Sequence, residues 1–177
     1  MQKAWSVQPQ TGSPGAKSQF AMMKETTLTV RPGEPADLPA VHALVRELAV
    51  YERAEQEFTA SVEDYRRDFD AGYFETLVAE AGGSVIGMAL YYTAYSTWKG
   101  RMLYLEDFVV EEDCRGRGAG RALFEAFLEE ARRKECRLVK WQVLDWNEPA
   151  LNFYRKYDSV IEKDWWNGKI FFSAAPK

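Results

Sequence analysis

Three glycines and three arginines crowd the stretch Arg115-Gly116-Arg117-Gly118-Ala119-Gly120-Arg121, between a strand-like run and a helix-like one. Residues without a Cβ let consecutive amides turn inward, and a helix N-terminus adds roughly half a positive charge, so the loop suits a phosphate group. Arg115, Arg117 and Arg121 add formal charge to a chain that is otherwise acidic. A glycine-rich turn that merely connects two elements is the simpler alternative. No Gly-Lys-Ser/Thr follows, which excludes a Walker A loop. Residues 111–114 separate the strand from the glycines, where a dinucleotide turn would be tight.

A second signal precedes the loop. Tyr104-Leu105-Glu106-Asp107-Phe108 places two acids inside an apolar strand-like run, and carboxylates there are costly unless paired or used. Neighbouring strand residues face opposite sides, so Glu106 and Asp107 line one groove only if a bulge re-aims one of them. Pairing with buried arginines, or capping of nearby amides, is the structural alternative. A third signal is Trp146-Asn147-Glu148-Pro149-Ala150-Leu151-Asn152-Phe153-Tyr154, a helix start with Tyr154 on its second turn, where a phenol can donate a proton. Phe153 and Tyr157 argue equally for Tyr154 as a packing aromatic. Tyr51-Glu52, at the end of another helix-like run, offers a further acid, either facing the same cleft or solvated.

The elements that position these residues follow from patterning. At 177 residues and 20.3 kDa, with 46% apolar residues, the chain suits one domain with a real core. Residues 1–26, rich in Gln, Ser, Gly and Pro and containing Met22 and Met23, read as a disordered leader, a tag or an upstream mis-start, leaving 27–174 as the domain. The spacing predicts a strand over 28–31 and helices over 37–52 and from Ser61, whose partner Asp64 completes a cap. Three antiparallel strands over 76–80, 85–93 and 102–110 follow, with a Gly82-Gly83 turn between the first two. A helix over 120–134, a strand over 138–143, a helix capped by Asn147 and a last strand over 169–172 complete the order βααβββαβαβ. The expected class is α/β, a mixed and mostly antiparallel sheet with helices on both faces.

Composition removes several classes of function. A formal charge of -4 and a pI near 5.2 speak against a nucleic-acid binder. No apolar run approaches the roughly 20 residues that span a bilayer, so no membrane partner and a cytoplasmic setting are expected. Cys114 and Cys136 have no metal-type spacing, and His42 is the single histidine, beside Val41 and Val45. Zinc chemistry and Ser-His or Cys-His triads are therefore hard to assemble, no metal is expected, and His42 reads as a packing or surface residue.

Taken together, these segments resemble the GCN5-related N-acetyltransferase (GNAT) superfamily over about 30–172, and within it the diamine and polyamine (spermidine/spermine) N-acetyltransferases. The loop Arg115 to Gly120 is similar to the superfamily's Arg/Gln-x-x-Gly-x-Gly/Ala motif. Glu47-Leu48-Ala49-Val50-Tyr51-Glu52, Tyr95-Ser96-Thr97-Trp98, Tyr104 to Phe108 and Trp146 to Tyr154 are similar to the subfamily's blocks, in the same order. The resemblance implies acetyl-CoA as cosubstrate, held by Phe108, Val109, Val110, Arg115, Gly116, Arg117, Gly118, Ala119, Gly120, Arg121, Asn147, Asn152 and Tyr154. It implies a small cationic amine bound by Glu52, Trp98, Glu106 and Asp107, with Glu106 and Tyr154 catalytic, and a homodimer. The aromatics Trp165, Trp166, Phe171 and Phe172 would support an apolar interface or fill the monomer's own core.

Two positions depart from the pattern. Asp158 stands where a Gly is common after the tyrosine helix, and Asp tolerates a left-handed cap better than most residues. Ser96 stands where polyamine enzymes can carry an acid. A lysine-like amine with a pKa of about 10.4 is protonated at pH 7, and removing its proton costs about 4 to 5 kcal/mol, so an acceptor is needed. A carboxylate touching the reacting ammonium would favour its charged form, so the acid that relays the proton and the acid that grips a distant charge should differ. A nicotinamide-dinucleotide oxidoreductase using Asp145, or a CoA-binding module without catalysis, are the competing readings, the first disfavoured by the lack of an early βαβ unit.

Overall fold

In the computed structural model, which describes residues 27–172, the three strand-like runs between 75 and 110 form consecutive antiparallel strands β2 (Glu75–Ala81), β3 (Ser84–Ser96) and β4 (Gly100–Val110). Gly82 and Gly83 take φ of 63° and 77°, the left-handed pair that a two-residue hairpin turn requires. β1 (Thr29–Pro32) joins the far edge antiparallel to β2, and β5 (Leu138–Trp141) lies parallel to β4, giving the order β1-β2-β3-β4-β5. The mixed, mostly antiparallel sheet read from the sequence is present. The leader assigned to 1–26 and the end of the 27–174 boundary lie outside the described residues.

Helices cover both faces. α1 (Leu38–Tyr51) sends Val41, Leu44 and Val45 against Val78, Met88, Leu90 and Val109, the residues that alternate onto one face of β2, β3 and β4. Arg31 of β1 donates to both Asp37 carboxylate oxygens, at 2.6 and 2.9 Å, and so ties the first strand to the start of α1. α2 (Val62–Asp70) starts at the expected cap, with Asp64 N donating to Ser61 Oγ at 3.2 Å and Ser61 N to Asp64 Oδ2 at 3.0 Å. His42 packs its ring against Phe58 and Tyr65, at centroid distances of 4.8 and 5.2 Å, as a packing residue should. On the opposite face α3 (Ala119–Arg133) buries Leu123, Phe124 and Phe127, with Phe127 against Tyr91 and Phe124 against Phe108.

The chain divides into two compact units, with the boundary after Trp141. In the second, α4 (Glu148–Tyr154) is capped as read, Ala150 N donating to Asn147 Oδ1 at 3.2 Å with Pro149 in the first turn. Asp158 adopts φ 51° and ψ 33°, the left-handed cap that a glycine commonly supplies.

The last strand is a correction. Residues 169–172 form no strand, and Ile170, Phe171 and Phe172 are at least 79% exposed. Propensity for extended backbone makes no strand unless a neighbouring chain takes up its amides and carbonyls, and among the described residues no ladder reaches this run. Trp165 and Trp166 are exposed too.

Candidate active site

The two acids of β4 sit at an irregularity in the sheet. Leu90 pairs with Asp107 but the next residue, Tyr91, pairs with Leu105, so Glu106 is an extra residue on β4. The bulge has the consequence that strict alternation forbids. Asp107 lies opposite Leu90 on the α1 face, and Glu106 is turned toward that face, where it accepts a hydrogen bond from the Tyr92 hydroxyl at 3.2 Å. Tyr92 pairs across the strands with Tyr104, and their rings stack at 5.3 Å and 22°.

Electrostatics show what these groups share. Burial, then the charges of Glu106 and Glu52, pushes the Asp107 carboxyl up to about 7. Glu52, the residue closing α1, is half-buried and itself raised by burial, and its charge reaches Asp107. The Tyr65 phenol of α2 is pushed up by burial first, then by Asp107 and Glu106, and Tyr92 reaches about 12 through burial and then Glu106. Three carboxylates and three phenols, Tyr65, Tyr92 and Tyr104, thus surround one position. Among the described residues no arginine pairs with Asp107.

Past the bulge, β5 no longer accompanies β4. Their parallel pairing runs from Met102 opposite Leu138 to Leu105 opposite Trp141, and 106–110 extend beyond it. β4 then leads through a short turn at Glu112–Cys114 into the glycine loop. Gly116 and Gly118 take φ of 74° and 93°, and nothing lies within 4 Å of where their Cβ atoms would stand. The open space over a left-handed glycine at the N-terminus of α3, a 15-residue helix, fits an incoming phosphate. Arg115 does something else with its side chain: Nε donates to Val110 O at 2.9 Å and the guanidinium lies over the Tyr51 ring at 5.7 Å. It ties the loop back to β4 and to the residue beside Glu52. Arg121 pairs with Glu125 at 2.7 Å, and Arg117 is exposed.

In the second unit Tyr154 is 5% exposed, and burial raises its phenol above the ordinary range. Asn147 serves the helix cap, and Asn152 Oδ1 accepts from Arg155 at 2.7 Å. Among the described residues no group of three His, Cys, Asp or Glu side chains is placed to hold a metal ion, and no helix is long and apolar enough to cross a membrane.

The model of the acetyltransferase (GNAT) family matches residues 38–158. The chain belongs to the GNAT family. Thialysine N-epsilon-acetyltransferase of Bos taurus is 35% identical over 150 residues, covering 78% of this chain and 88% of the relative. The Mus musculus protein of the same name is 36% identical over 136 residues, 71% of this chain and 80% of that one. The human spermidine/spermine N(1)-acetyltransferase-like protein 1 is 31% identical over 81% of this chain and 23% of its own length. Among solved structures, an aminoglycoside acetyltransferase from a soil metagenome superposes with a TM-score of 0.69 at 19% identity, covering 82% of this chain and 97% of that one.

The protein is an N-acetyltransferase of the GNAT fold, and acetyl-CoA is the donor that GNAT acetyltransferases use. The oxidoreductase reading built on Asp145 is set aside by this membership. The acid cluster brings in three residues beyond those expected from the sequence. Trp98 stands 82% exposed at the tip of the β3–β4 hairpin. Thr97 is five residues beyond Tyr92, about 17 Å at the rise of a strand, so the hairpin tip stands well along β3 from the acids. Tyr65, Tyr92 and Tyr104 were not singled out from the sequence. Tyr104 lies two residues from Glu106, but Tyr92 meets it only through the register of β3, and Tyr65 only through packing of α2.

The loop makes its own prediction. Gly118→Ala forces a side chain into φ 93°, costing about 1 to 2 kcal/mol where nothing clashes. KM for acetyl-CoA is expected to rise about tenfold, while the KM for amine stays put. An unchanged KM for acetyl-CoA would show that the left-handed turn is not needed for the donor.

Proposed function

We propose that this N-acetyltransferase moves acetyl from acetyl-CoA to the primary amine of a small molecule that carries a second positive charge, a lysine-like amine such as thialysine or a di- or polyamine. The observation that carries the reading is the bulge at Glu106, which turns two adjacent carboxylates to one face and gathers Glu52 with them. Three acids around one position suit a dication better than a monoamine, because each ammonium can meet a different carboxylate. The names of the similar thialysine acetyltransferases support the lysine-like end of this range, and the spermidine/spermine relative the polyamine end.

In this reading Gly116, Gly118, Ala119 and Gly120 turn their amides to the pyrophosphate, with Arg117 and Arg121 adding charge, and Arg115 acts as the tether described. When bound, acetyl-CoA supplies an acetyl group activated as a thioester. Glu106 takes the proton that the attacking amine must lose, directly or through a water, while Asp107 and Glu52 hold the distant ammonium. A backbone amide of 108–110 meets the developing oxyanion, and Tyr154 Oη protonates the departing sulfur. Asn147 and Asn152 are proposed near CoA, Trp98 as a substrate contact completed by a second copy. Residues 27–174 would act as one domain, in a cytoplasmic homodimer, with no metal, nucleic-acid or membrane partner.

Release of CoA thiol across spermidine, spermine, putrescine, lysine, thialysine and simple monoamines tests the substrate class. Turnover is expected with dications and little with monoamines. Glu106→Gln should reduce turnover of every amine, by about 10²-fold or more if it is the proton acceptor. Equal use of monoamines would overturn the acid-cluster reading of specificity.

A further inference from the structure

The bulge that exposes Glu106 also leaves it a problem of order. A glutamate at an exposed bulge position has three rotatable bonds, and fixing such a side chain costs up to about 2 kcal/mol in rotamer freedom. A proton acceptor that swings through solvent spends little time at the amine. One hydrogen bond restrains it: that of the Tyr92 hydroxyl, 3.2 Å from Glu106 Oε2. The Tyr92 ring is itself held, stacked at 5.3 Å on Tyr104, its directly opposed neighbour on β4. With its phenol at about 12, Tyr92 stays protonated at neutral pH and remains a donor.

We propose that Tyr92 is a positioning residue for acetyl transfer, holding the Glu106 carboxylate on the Asp107 face of the bulge while Tyr104 fixes the Tyr92 ring. This rests on the assignment of Glu106 as proton acceptor. Tyr92 touches neither substrate nor donor in this role, and its effect on the reaction passes through Glu106. The bulge and the tyrosine pair then form one device. The bulge aims the carboxylate, and the tyrosines two positions along the same face keep it aimed.

The test is a double-mutant cycle on kinetics. Tyr92→Phe keeps the ring and its stack and removes only the donor. With the best amine it is expected to lower kcat about 5- to 10-fold, the worth of one hydrogen bond to a charged group at a partly solvated site. KM for acetyl-CoA should stay within about twofold, as the loop is untouched. In the Glu106→Gln background, Tyr92→Phe should change kcat by less than about twofold, since there is no carboxylate left to position. The same fold loss in both backgrounds, an unchanged kcat in the single variant, or an effect confined to the amine's KM would overturn the proposal. A wild-type protein that turns over no amine would overturn the proposed function and this inference with it, which separates that failure from a silent Tyr92→Phe in an active enzyme.

Discussion

Tyr154→Phe is expected to lower kcat by about 10- to 1000-fold, the range of a single general acid, with little change in KM for either substrate. The reasoning begins with burial. Tyr154 is 5% exposed and its phenol is raised above the ordinary range by desolvation, so it is protonated throughout neutral pH. A group that must give a proton to a departing thiolate is useful only while it still holds one. The α4 helix carrying it starts from a formed cap at Asn147 and runs into a 3-10 turn over Arg155–Tyr157 that closes on the left-handed Asp158, with Ser159 Oγ donating to Tyr154 O at 2.8 Å. The turn bearing Tyr154 is therefore held at both ends. Phe preserves the ring and its contact with Phe153 at 5.4 Å, so the thermal midpoint should move little. A variant with full turnover would remove Tyr154 from the mechanism, and a fall in turnover matched by a fall in thermal midpoint would make it structural.

The second large effect is on stability. Burial and the neighbouring Glu106 and Glu52 push the Asp107 carboxyl up to about 7 in the folded protein, against about 3.9 for an unfolded aspartate. Between those values the folded chain keeps a proton that the unfolded chain releases, so stability falls as pH rises from about 4 to about 7 and stays lower above. Above pH 7 the fold holds an ionised carboxylate beside Glu106 and Glu52, at a cost of about 2 to 4 kcal/mol by linkage. Asp107→Asn cannot ionise. Its thermal midpoint is expected to exceed that of the wild type by about 5 to 10 °C at pH 8 and to converge with it near pH 4. Thermal melts at both pH values decide the matter, and equal midpoints at pH 8 would show that Asp107 carries no such burden. The same variant should turn over dications poorly. Losing activity while gaining stability is the expected signature of a residue kept for its charge.

Much of this was legible in the residues. The helical stripe of α1, the Ser61–Asp64 cap, the Gly82-Gly83 hairpin and the Asn147 cap are short-range features, each decided by groups within a turn or two of one another. The glycine loop was legible for the same reason: its glycines, its left-handed turns and the helix that follows lie in one stretch of chain. The final strand over 169–172 was misread because its residues favour extended backbone, while a strand depends on a partner that local sequence does not name. How far Trp98 stands from the acids was not legible, because it is set by the length of the β3–β4 hairpin, which here continues as far as Ser96 and Gly100.

The acid cluster marks the division most sharply. From Tyr104-Leu105-Glu106-Asp107 alone, alternation sends the two acids apart, and only a bulge reverses that. The sequence determined that two carboxylates stand in an apolar strand ahead of a glycine-rich loop, because residue type and order are local. Only the tertiary structure decided that they share a face with Glu52, Tyr65 and Tyr92, because the register between β3 and β4 and the packing of α1 and α2 come from contacts far apart in the chain.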